Sequence, residues 1–161
     1  MPILHPIDPI YNEDCRILIL GSFPSVKSRE NAFFYSHPQN RFWKVLCAVL
    51  QEPLAETTEE KKELLLRHHI ALWDVIASCD ITGSADSTIQ NVIPNDLSPI
   101  IKASPDIKIF TNGTVAHRYY RRYMENPMGR QAIALPSTSP ANAAFTLSKL
   151  IAAWQVIGQY L

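Results

Sequence analysis

Apolar residues recur along this chain in two rhythms. Residues 17–20 (ILIL) form a short uninterrupted run ending at Gly21, the pattern of a strand buried on both faces. Similar runs at 70–76 (IALWDVI), 107–111 (IKIFT) and 131–135 (QAIAL) predict three more strands. Between them the spacing changes to three and four. Phe42, Trp43, Leu46, Val49 and Leu50 mark one face of a helix that opens at Asn40 and stops at Pro53. Thr57 with Glu60 makes a capping box for a charged helix that reaches Leu64 to Leu66. Asn95 or Asp96 can cap a short helix carrying Ile100 and Ile101. A helix from Thr114 places Val115, Tyr119 and Tyr123 on one face and His117, Arg118, Arg121 and Arg122 elsewhere. The last helix, 145–160, is expected to bury Leu147, Leu150, Ile151 and Trp154.

Strands separated by helices cannot pair through tight turns, so parallel pairing with crossovers follows. The predicted architecture is α/β: a three-layer α/β/α sandwich around a central four-stranded parallel sheet, in one domain over residues 1–161. Two stretches fall outside it. Residues 1–14, with Pro2, Pro6 and Pro9, read as an extended lead-in. Residues 78–96, with Gly83, several serines and Pro94, read as a long loop too polar and broken for regular structure.

Composition narrows the class. At 161 residues, 19% charged and 47% hydrophobic, the chain is an ordinary globule, neither disordered nor embedded in a membrane. The net charge of +0 provides no global attraction for a polyanion, so any such site must be local. Cys15, Cys47 and Cys79 are scattered and odd in number, which argues for buried thiols in a reduced compartment. The N-terminus lacks the basic start and apolar run of a signal peptide, and a cytoplasmic monomer is expected. The five histidines show no metal spacing, and no metal or cofactor is expected.

The chemistry concentrates at residues 16–46, where the first strand delivers its C-terminal end into a turn and then an aromatic, polar loop. Open α/β sheets bind ligands at such ends. Gly21, Lys27 and Ser28 superficially suggest a phosphate-binding loop, but Val26 stands where a second glycine is needed and Pro24 removes an amide. The segment NAFFYSHPQNRFWKVL is more informative. Phe33, Phe34 and Tyr35, bordered by His37, Gln39, Asn40 and Arg41, combine aromatic faces with side-chain amides, the equipment for stacking a base and bonding its edge. Part of this set equally serves the core, and Asn40 equally serves as a helix cap.

GSFPS followed by FFYSHPQNRFWKVL resembles the uracil-DNA glycosylase superfamily, in particular its mismatch-specific uracil/thymine branch and the related hypoxanthine (deoxyinosine) branch. LWDVI (72–76), FTNGTVAH (110–117) and LPSTSPANA (135–143) extend the resemblance over nearly the whole chain in the same order. It implies a glycosylase that flips a deaminated base from DNA and hydrolyses its N-glycosidic bond, with hypoxanthine favoured. Excision of uracil or thymine opposite guanine, or a catalytically weak DNA-binding relative, are the alternatives.

The resemblance also implies roles for individual residues. Gly21, Ser22, Phe23 and Ser25 would line the base pocket. Phe23 stands where many relatives carry the Asp or Asn that positions the attacking water, and it cannot do that work. The hypoxanthine branch attributes the catalytic amide to the asparagine of HPxN, here Asn40. Tyr35 would stack on the flipped base. Asp74 occupies a base-reading position, where a carboxylate favours a base presenting N–H donors. Ser137 replaces a histidine that stabilises the departing base. Ser139 would hold a phosphate, with Ala141 and Asn142 at the tip that enters the duplex. Arg118, with Arg121, Arg122, Lys27 and Arg41, would add phosphate contacts, although an arginine run is also a common solvated face.

Overall fold

The computed structural model of the chain describes residues 2–161. In chain order its elements begin with β1 (Ile3–Leu4), β2 (Ile17–Gly21), α1 (Val26–Asn31), α2 (Phe42–Val49) and α3 (Thr58–Arg67). Next come β3 (Ile70–Asp74), β4 (Ile76–Asp80), β5 (Gln90–Pro94) and α4 (Ser98–Ala103). The remainder comprises β6 (Lys108–Asn112), α5 (Thr114–Tyr123), α6 (Glu125–Met128), β7 (Ala132–Leu135) and α7 (Leu147–Trp154).

The main sheet has the order β3-β2-β6-β7, and every pair in it is parallel. As predicted, it is the middle layer of a sandwich. Successive side chains of a strand point to opposite faces, and β2 feeds both cores. Ile17 and Ile19 pack with Phe42, Leu46, Leu65 and Trp154 on the face carrying α2, α3 and α7. Leu18 and Leu20 pack with Ile100, Tyr119 and Tyr120 beneath α4 and α5. Ile17, Leu18, Ile19 and Leu20 are all fully buried. The chain leaves β2 for β3 on one side and returns to β6 on the other, which opens a crevice at the C-terminal ends of the strands.

Several expectations need correction. Residues 78–96 are not an irregular loop. β4 and β5 pair antiparallel as a hairpin, and β1 pairs antiparallel with the other edge of β4. β5 opens with two consecutive exposed polar residues, Gln90 and Asn91, and its pairing with β4 shifts register twice, so the period-2 strand pattern is masked. The predicted strand 70–76 is broken at Val75, whose N–H bonds the Gly21 carbonyl at 2.8 Å before β4 begins. The N-terminal lead-in is zipped onto the molecule: Ile10 and Leu72 exchange two backbone bonds, and the Trp73 indole N–H donates to the Ile7 carbonyl. Helix α1 was not expected; Ser25 caps it by accepting from the Ser28 amide at 3.2 Å. Leu147, the first residue of α7, is 39% exposed rather than buried.

Candidate active site

The crevice is a cavity of about 320 Å³ to which the C-terminal ends of all four main-sheet strands contribute. Gly21 to Ser25 follow β2, Asp74 ends β3, Asn112 ends β6, and Ser137 to Ala141 follow β7. Tyr35, His37 and Asn40 enter from the loop before α2, and Ser84 and Asp86 from the tip of the β4–β5 hairpin.

One wall is a chain of fixed donors. The Asn112 amide donates to the Thr138 hydroxyl (3.0 Å), and that hydroxyl donates to Asn40 Oδ1 (2.9 Å). Asn112 Oδ1 takes the Thr138 backbone N–H at 3.1 Å, so the pair is locked at both ends. Asn40 Oδ1 also accepts the Phe42 amide at 2.9 Å, tying it to the start of α2. Its oxygen is therefore committed twice. The NH₂ group is turned away from these partners, and among the described residues no acceptor takes it up.

The other wall carries the carboxylates. Asp74 is buried, and its Oδ2 accepts from His5 Nε2 at 2.7 Å. The Ile7 amide donates to His5 Nδ1 (3.2 Å), which assigns the ring proton to Nε2 and fixes His5 as the donor. Phe23, Phe34 and Trp73 rings surround that imidazole at 5.9 to 6.2 Å. Asp74 Oδ1 and the Tyr35 hydroxyl lie so close to Gly21 that a Cβ there would meet them at 2.4 and 2.9 Å. Only glycine leaves that room.

Tyr35 takes a left-handed backbone conformation (φ 53°), and its ring stacks on Phe42 at 4.1 Å and 14°. Burial and the Asp74 charge push its phenol far above the usual range, with the Asn112 amide opposing. Asp86 accepts from the Ser22 hydroxyl at 3.2 Å. Burial raises its carboxyl above the ordinary range, the Ser22 bond opposes this, Asp74 adds to it and Arg118 offsets it.

Residues 9–158 match the profile of the uracil DNA glycosylase superfamily. The chain belongs to that superfamily. It is 34% identical to a hypoxanthine DNA glycosylase of Methanosarcina acetivorans over 142 residues, covering 87% of this chain and 89% of the relative. A hypoxanthine DNA glycosylase of Methanosarcina barkeri is 32% identical over 136 residues, covering 83% and 85%. Among solved structures, the solution NMR structure of a Methanosarcina acetivorans protein assigned as a candidate uracil DNA glycosylase superposes with a TM-score of 0.80. The two are 31% identical, with 98% and 99% of the chains covered.

In this superfamily member the cavity gathers Gly21, Ser22, Phe23, Ser25, Tyr35, Asn40, Asp74, Ser137, Ser139 and Ala141, all anticipated from sequence. Asn142 and Arg118 lie outside its lining. Asn142 braces the loop, donating to the Ser137 carbonyl at 3.0 Å, while Pro140 and Ala141 form an exposed tip. Arg118 is exposed in a shallow groove with Arg121 and Arg122. Arg41 is not a free phosphate ligand: its guanidinium holds the 137–145 loop from within through the carbonyls of Ser139, Asn142 and Phe145.

Four residues escaped the sequence reading: His5, Asp86, Asn112 and Thr138. Asn112 ends a strand, which is a usable signal. A histidine among prolines, an aspartate in a serine-rich stretch and a threonine in a turn carry none. The three cysteines are buried and free. Among the described residues no group of three or more His, Cys, Asp or Glu could hold a metal, and no helix is long and apolar enough to cross a membrane.

Proposed function

We propose that this chain is a monofunctional DNA glycosylase that takes a deaminated nucleotide, preferentially deoxyinosine, out of the duplex and hydrolyses its N-glycosidic bond to leave an abasic site. The observation that carries this reading is the opposed polarity of the cavity walls. Asn40 has only N–H groups left to offer, and Asp74 has only an acceptor. Hypoxanthine matches both, with O6 and N7 as acceptors and N1–H as its donor. His5 occupies Asp74 Oδ2, so one carboxylate oxygen remains. That suits the lone N1–H of hypoxanthine better than guanine, whose adjacent N1–H and N2–H would use two acceptors. In uracil the N3–H lies between two carbonyls, and both repel a carboxylate.

Tyr35 supplies the stacking surface, with Phe42 covering the other face of its ring. Flipping costs a few kcal/mol, least for a mispaired base, which favours damaged pairs before the pocket reads them. As the bond to C1′ breaks, charge grows on the base. Asn40 N–H and the Ser137 hydroxyl then act as preorganised donors to it. Ser139, Ala141, Asn142 and Arg118 belong to the DNA-facing rim, with Ser139 and Arg118 as phosphate contacts that weaken as salt rises.

The test is a set of matched duplexes carrying one inosine, uracil, mismatched thymine or xanthine, with abasic sites scored after alkali. Inosine is expected to be cut fastest. Cleavage confined to uracil would overturn the base assignment. Retention of DNA without cleavage of any substrate would leave a binding module.

A further inference from the structure

Hydrolysis needs a group that can take a proton from water, and the donor wall has none, because Asn40, Asn112 and Thr138 are neutral. The titratable side chains lining the cavity are Tyr35, His37, Asp74 and Asp86. Three are unsuited. The Tyr35 phenol is held protonated by burial and by Asp74. His37 accepts the Gln39 amide on Nδ1 at 3.1 Å, which leaves its proton on Nε2. Asp74 is paired with His5 through Oδ2, and its remaining oxygen is the one that takes the N–H of the base.

Asp86 differs from these. It comes from the one-turn helix Asp86–Thr88 at the hairpin tip, outside the main sheet. Its Oδ1 is oriented by the Ser22 hydroxyl, and among the described residues no hydrogen bond reaches Oδ2. Ser22 precedes Phe23, so the hairpin returns a carboxylate to the very turn whose own side chains provide no base.

We propose that Asp86 is the general base of this glycosylase, a role that rests on the functional reading above. Water attacks C1′ of the flipped nucleotide and passes a proton to Asp86 Oδ2. The C1′–N9 pair leaves with hypoxanthine, which takes its proton from solvent, and Asp86 returns its own to solvent. The groups facing Asp86 are Ser22 from the β2 turn, Asp74 from β3, Tyr35 from the aromatic loop, Cys79 from β4 and Arg118 from α5. Asp74 opposes ionisation of Asp86, and Arg118 favours it.

A carboxyl raised by burial binds its proton more tightly folded than unfolded, so its contribution to stability is present at low pH and lost as pH rises through the folded value. Asp86→Asn, which can still accept from Ser22, is therefore expected to keep or raise Tm at pH 7. A purely structural Asp86 would lower it.

The experiment is single-turnover cleavage of an inosine duplex by the parent chain and Asp86→Asn from pH 5 to 9, with binding measured on a duplex carrying a tetrahydrofuran abasic analogue. The parent rate should fall on the acid side. The variant should be slower by about 10²-fold or more and lose that acid limb, with the analogue bound within about threefold of the parent. A variant rate within threefold of the parent, a persisting acid limb, or a lowered Tm overturns the role of Asp86 and leaves the glycosylase reading standing. No cleavage by the parent overturns both.

Discussion

The two walls of the cavity differ in chemistry and in how the chain supplies them. The donor wall is made of neutral dipoles: Asn112, Thr138 and Asn40 form a relay whose members satisfy one another. Its anchors also serve the fold, since Asn40 holds the start of α2 and Arg41 N–H bonds the Thr138 carbonyl at 3.1 Å. The acceptor wall holds a buried carboxylate, Asp74, and a half-buried one, Asp86, which cost far more to desolvate than dipoles, and each has a dedicated donor. His5 serves Asp74 and Ser22 serves Asp86. Those supports come from the N-terminal segment and the β2 turn, and Asp86 itself from the hairpin. Fixed dipoles are built with the fold, whereas desolvated charges require extra segments laid against it.

The comparison breaks hardest at Asn40. Asn40→Asp keeps the oxygen that holds Phe42 and Thr138 but removes the N–H donors, so single-turnover cleavage of an inosine duplex should fall about 10²- to 10³-fold. Asn40→Ala should also lose about 1 kcal/mol with the bonds that its oxygen accepts from the Phe42 amide and the Thr138 hydroxyl. Full activity in Asn40→Asp would reduce this wall to a structural brace.

Asp74→Asn tests the opposite wall. Losing the carboxylate acceptor should cost about 10- to 100-fold on inosine, the worth of a hydrogen bond to a charged group. Competition between inosine and uracil duplexes measures the accompanying loss of base preference; an unchanged ratio would remove Asp74 from base reading. The floor where the walls meet is tested through stability. Gly21→Ala pushes a methyl onto Asp74 Oδ1 and the Tyr35 hydroxyl, and denaturant unfolding should show a loss of about 1–3 kcal/mol. A neutral result there would mean that the two side chains can withdraw.

Legibility in the sequence follows the same division. ILIL before Gly21, the α2 stripe and the Thr57 cap were readable because each depends on neighbours in the chain. The cap is realised, with the Glu60 amide donating to Thr57 Oγ1 at 3.1 Å. Asn40, Tyr35 and Ser137 were readable because their segments carry a family pattern. The hairpin was not, because register shifts between Ile76 and Asp80 break the alternation and one of its buried positions is Ser78.

The parallel sheet, the layers and the strand-end location of the site follow from the sequence, since hydrophobic periodicity and punctuation act over a few residues. The tertiary structure alone decided which groups complete that site. His5 meets Asp74 across 69 residues and Ser22 meets Asp86 across 64. A buried carboxylate takes its character from whatever packs beside it, and those neighbours are chosen by the fold, not by position along the chain.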